Sequence, residues 1–199
     1  MTSTLTVELA ATAARLVVEE GMEYGMAKRK AARALGQTRL RPSELPDNDL
    51  IEDEVRDYLA LFCADTQPAE LLALRRIAAA WMERLAAFRP HLTGAVWRGT
   101  ATRRNDIHLQ LYCDDSKSAE IALLDRRIDF HTGSTTGPRG DTVDVLSVAE
   151  RSSELDDFIT VHLTILDHDD LRGALKPDAS GRTTRGDLTA LGRLLAGDA

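Results

Sequence analysis

What this chain lacks narrows its function first. No run of 18 apolar residues occurs in it, whereas a helix that crosses a bilayer takes about 20. The first residues carry neither the basic segment nor the apolar stretch of a secretory signal, so the cytoplasm is the expected location and no membrane partner is expected. Only two cysteines are present, Cys63 and Cys113, and their spacing is not that of a metal site. Two reduced thiols are the expectation. Basic residues do not predominate: 25 Lys and Arg stand against 32 Asp and Glu, a formal net charge of −7. That balance argues against a broad nucleic-acid footprint and leaves room for a local basic patch. No Gly-Lys pair occurs, which excludes ligases built on a glycine-rich ATP loop ending in Gly-Lys-Ser/Thr. No internal repeat is visible, no Ser/His/Asp triad can be assigned, and neither cysteine has an activating neighbour.

What is present is a globular composition. The 199 residues are 43% hydrophobic and 29% charged, enough for one domain with an appendage or two small domains. The Arg and Ala richness reads as a high-GC bacterial coding sequence. Residues 4–35 carry Leu9, Ala13, Leu16 and Val17 at helical spacing, interrupted at Gly21 and Gly25 to give two helices. After Pro42 and Pro46, the cluster Asp47-Asn48-Asp49 caps a helix over 49–63. Pro68 opens another that runs to about Phe88.

The pattern then changes. Thr93–Trp97 reads as a short apolar strand and Asp106–Tyr112 as a half-buried one. Ser116–Arg126 reads as a helix capped by Ser116 or Asp115, and Arg127–Phe130 as a short strand. Thr132–Gly140 reads as a hairpin loop, Thr142–Val148 and Phe158–Leu166 as strands, and Leu188–Leu195 as a closing helix.

The densest chemistry lies between Gly94 and Leu109. A glycine at a strand-to-turn junction lets backbone approach phosphate oxygens, and Gly94 and Gly99 supply two. Arg98 is a planar cation that forks onto phosphate, and Thr100 and Thr102 add hydroxyls. In Asp106-Ile107-His108-Leu109, residues two apart on a strand share a face, so Asp106 and His108 point together.

This segment resembles the signature of the nucleotidyltransferase superfamily, the polymerase-beta-like fold. In that family a glycine-serine turn holds a nucleoside triphosphate and an Asp-x-Asp pair on the next strand holds magnesium. Ala95 stands where the family has Ser or Gly, and His108 where it has the second carboxylate. The resemblance implies an α+β fold, a mixed sheet flanked by helices over residues 68–170. A helical region, 1–67, precedes it, and a loop and short helix, 171–199, follow. It implies transfer of a nucleoside monophosphate from an NTP to an acceptor (small molecule, protein or RNA) with a divalent metal, Mg or Mn. Gly94, Arg98, Gly99 and Thr100 would hold the nucleotide, and Asp106, His108 and a third acid the metal. Asp144, in Val143-Asp144-Val145, is the candidate for that acid and for a catalytic role beside Asp106; Asp129, in Ile128-Asp129-Phe130, is its rival. Magnesium prefers oxygen ligands and imidazole suits manganese or zinc better. The alternatives are therefore an active transferase, a degenerate nucleotide-binding or regulatory protein, and a helical interaction module fused to a structural sheet. An oligomer is compatible with each.

Two further clusters stand out. Asp167-His168-Asp169-Asp170, before Leu171-Arg172-Gly173, reads first as a capped turn, with a metal site as the alternative. Lys28-Arg29-Lys30 with Arg33, then Arg39 and Arg41, reads as a solvated helix face, with contact to nucleic acid or substrate phosphates as the alternative.

Overall fold

The computed structural model describes residues 3–37, 41, 44–172, 175–177 and 181–197. Arg39, Pro42 and Gly173 lie outside them. The chain divides into two compact units, Met1–Glu70 with Thr100–Arg104, and Leu71–Gly99 with Asn105–Ala199.

The first unit is built on α1 (Thr4–Glu20), α2 (Tyr24–Ala34) and α3 (Asn48–Phe62). Its boundaries follow from caps. The Ser3 side chain accepts from the Thr6 amide to start α1, and Asp47 accepts from Leu50 to start α3. Gly21 stops α1 at φ 66°, and a Cβ there would lie 2.7 Å from the Arg104 carbonyl oxygen, so the position takes glycine alone. Gly25 lies inside α2, so Gly21 makes the break unaided. Alanines dominate the α1 and α2 contributions to the core, Ala10, Ala13 and Ala14 from one and Ala27, Ala31 and Ala32 from the other. Such short side chains let helix axes approach closely. Ile51, Val55 and Leu59 complete the core from α3. Arg29, Lys30 and Arg33 are exposed on α2, and Lys30 is paired with Glu20 at 2.6 Å. Lys28 beside them is half-buried.

The second unit holds most of α4 (Gln67–Arg84), then β1 (His91–Thr93), α5 (Gly94–Arg98), β2 (Ile107–Cys113), α6 (Ser118–Asp125), β3 (His131–Thr136), β4 (Thr142–Ser152), β5 (Asp157–Asp167), β6 (Arg185–Gly186) and α7 (Leu188–Ala196). The six strands form one sheet in the order β3-β4-β5-β2-β1-β6. β2 and β5 run parallel and the other neighbours antiparallel. The class is α+β with a mixed sheet, as expected. One face is apolar: Ile107, Leu109 and Leu111 of β2, Leu146 and Val148 of β4, and Val161 and Leu163 of β5 are buried. α4 lies on this side, where buried Trp81 donates its indole N–H to Glu150 of β4 at 3.0 Å.

Three expectations need correction. Thr93–Trp97 is not a strand. β1 ends at Thr93, and Gly94 at φ 74° turns the chain into α5, which Gly99 stops at φ 83° with its N–H on the Ala95 carbonyl. Apolar runs this short fit strand and helix alike. The strand expected at Arg127–Phe130 starts at His131 instead and takes Thr132–Thr136 of the segment read as a loop, leaving Gly137–Gly140 as the hairpin turn. All six of its residues are exposed, so it has no apolar alternation to reveal it; pairing with β4 makes it a strand. The helix from Pro68 ends at Arg84, and a 3-10 turn covers Ala86–Phe88. The capped-turn reading of Asp167-His168-Asp169-Asp170 holds: Asp167 accepts from the Asp169 amide at 2.8 Å at the start of a 3-10 turn.

Candidate functional site

Opposed residues in a sheet project from the same face. The register therefore defines one row across all six strands: His131, Ser147, His162, His108, Thr93 and Arg185, from β3 through β4, β5, β2 and β1 to β6. Three of the five histidines fall in that row. It belongs to the face opposite the apolar core, and Ser147, His162 and His108 at its centre are half-buried.

At the centre the side chains are organised. The rings of His108 and His162 stack with centroids 4.9 Å apart and planes 23° off parallel. His162 bridges two partners, with Nε2 at 3.2 Å from Asp106 Oδ2 and Nδ1 at 2.8 Å from Ser147 Oγ. The Asp106 carboxyl is held below the ordinary carboxylate range, chiefly by the hydrogen bond from His162, against the opposing effect of burial. The His162 charge, the Thr160 hydroxyl and the His108 charge add to the lowering. An ionised carboxylate only accepts, so His162 Nε2 donates to Asp106, and Nδ1 shares a hydrogen bond with the Ser147 hydroxyl. The result is a relay Ser147–His162–Asp106 with His108 packed on the middle ring. Beside it, Arg185 Nη1 donates to Gln110 Oε1 at 2.7 Å and to the Tyr112 hydroxyl at 3.0 Å. Both partners are neutral, so the guanidinium charge has no acid against it among the described residues.

The residues expected at a nucleotide and metal site are only partly gathered here. Asp106 and His108 come together, and Gly94 lies against them: a Cβ on Gly94 would sit 3.5 Å from the His108 ring. Asp144 does not join them. Its neighbours of the same parity, Leu146 and Val148, point into the apolar core, so its side chain leaves the sheet on the face opposite Ser147 and His108. It lines an acidic hollow with Asp114, Asp115, Asp141 and Asp167, and Lys117 approaches it at 3.6 Å. Arg98 is the half-buried last residue of α5. Gly99 spends its amide on the end of that helix and packs against Arg75, whose guanidinium bonds the Val96 and Trp97 carbonyls. Thr100 is buried, 3% exposed.

His162, Ser147 and Arg185 were not singled out by sequence reasoning. The alternation Thr160-Val161-His162-Leu163-Thr164 marks a strand with His162 on its polar side. Only the parallel register with β2 brings that histidine to His108, and no local pattern encodes a register between distant strands.

The donor set does not make a magnesium site. Magnesium demands octahedral oxygen ligation, and the cluster offers one carboxylate, already engaged by His162. Among the described residues no three His, Cys, Asp or Glu side chains are grouped to hold a metal ion. Among those residues, too, no helix is long and apolar enough to cross a membrane. Comparisons with protein families, curated proteins and solved structures returned no match to this chain.

Proposed function

We propose that the face around His108 and His162 binds a nucleotide, and that the chain is a nucleotide-binding or regulatory protein. The stacked imidazole pair carries this reading. Flat rings held parallel and half open to water form a platform on which a base stacks, an interaction of about 1–3 kcal/mol per base. Asp106 is an ionised acceptor for ribose hydroxyls or base amino groups, and the uncompensated Arg185 charge favours phosphate on the other flank. Gly94 presents no side chain next to His108, which leaves a ligand room there. Metal-dependent nucleotidyl transfer is the second reading, favoured by the adjacency of Asp106, His108 and Gly94, and weakened by Asp144 pointing away.

Calorimetric titration with ATP and GTP, with and without Mn²⁺, tests the proposal. The expected result is one nucleotide bound per chain without added metal, weakened about tenfold or more by His162→Ala. Absence of binding, or affinity indifferent to His162→Ala, overturns it. Transfer of label from NTP to an acceptor in Mn²⁺, abolished by Asp106→Ala, establishes the transferase reading in its place.

A further inference from the structure

We propose a second ligand site in the sheet unit, independent of the histidine face: a cavity of about 730 Å³ that takes a small anion with an apolar body. The volume falls in the range of roughly 300–1,000 Å³ that small-molecule sites occupy. Met82 of α4, Leu171 of the turn after β5 and Leu188 at the start of α7 are among the residues that line it. Such a surface binds hydrocarbon and offers little to a wholly polar ligand.

The charges around it select the sign of the ligand. Arg89 and Lys176 both line the cavity, and neither has an ion pair or hydrogen bond from its side chain to any described residue. Asp187, the acid in the lining, is already engaged: it caps α7, its Oδ1 accepting from the Ala190 amide at 2.8 Å. Two cations with no acid against them among the described residues, at the edge of an apolar hollow, fit a carboxylate or comparable anionic head, onto which a guanidinium can fork with two N–H groups. Arg89 also closes the 3-10 turn Ala86–Phe88, its N–H on the Ala86 carbonyl. It sits at φ 49°, uncommon for a residue with a side chain, and its carbonyl pairs with buried His91 Nδ1 at 2.9 Å. A non-glycine residue held in the left-handed region at the edge of a cavity is the kind of local strain that collects at ligand sites.

Calorimetric titration of the full chain with decanoate, 1-decanol and decyltrimethylammonium tests the site. Decanoate is expected to bind saturably, one per chain, at least about tenfold tighter than the other two. Arg89→Gln with Lys176→Gln is expected to remove that preference and leave decanol unchanged. Ala86→Trp, at an exposed position in the lining, is expected to abolish binding of decanoate and decanol together. No saturable binding, equal affinity for the three probes, a preference that survives the double substitution, or binding that survives Ala86→Trp overturns the proposal.

Discussion

Leu109 and His108 are neighbours on β2, yet Leu109 is fully buried and His108 stands half open beside His162. The same division repeats on β4, where Leu146 and Val148 enter the core and Ser147 between them joins the relay. One face of the sheet is thus given to stability, while the other can carry charge, hydroxyls and imidazole at little cost to the fold. Which face a residue occupies depends on a single step of chain position. Asp144 shows the consequence: it has the right chemistry and lies on the wrong side.

Substitutions on the two faces should therefore differ most in stability. Leu109→Ala is expected to destabilise by about 2–5 kcal/mol, and His108→Ala by no more than about 0.5 kcal/mol. Urea denaturation reads both, and equal losses would break the division of the sheet. Gly186→Ala should cost about 1–3 kcal/mol, because its Cβ would overlap the Trp97 ring. A loss near zero would show that Trp97 does not pack there.

The binding contrast is sharper in kind and smaller in size. Asp106→Asn is expected to weaken nucleotide binding by about tenfold, roughly 1.4 kcal/mol, while Asp144→Asn leaves it unchanged. Titration calorimetry on the two variants decides this, and a matching loss in Asp144→Asn would place both acids in one site. The smallest effect concerns pH. The folded Asp106 carboxyl lies below its ordinary value of about 3.9. Its contribution to stability is present above that value and is lost as pH falls through the lowered one. Because Asp106 is half-exposed, the effect is slight: Asp106→Asn should lower stability a little at pH 7 and flatten the acid limb below about pH 4, so that the two proteins converge at acid pH. An unchanged acid limb would mean that His162 does not hold the carboxylate.

The helical unit was legible because its signals are local. Asp47 and Gly21 announce helix ends through their own side-chain and backbone chemistry. β2, β4 and β5 were legible through apolar alternation. α5 was not, since four residues between two glycines satisfy either period, and β3 was not, since an exposed edge strand buries nothing. Asp106 and His108 were legible as a pair because they stand two residues apart, Asp106 at the entry to β2 and His108 on it. Their partners His162 and Ser147 were not, because strand register is fixed by packing across the whole sheet.

The chain holds two tryptophans, and both belong to the sheet unit in contrasting settings. Trp81 is 1% exposed, with the Arg84 guanidinium 4.4 Å from its ring centre. Trp97 lies over Gly186 with its indole N–H on the Thr183 carbonyl at 2.8 Å. The protein therefore carries two built-in fluorophores with separate duties. With Trp81 replaced by Phe, the remaining emission reports the docking of β6 alone; with Trp97 replaced, it reports the melting of the apolar interior.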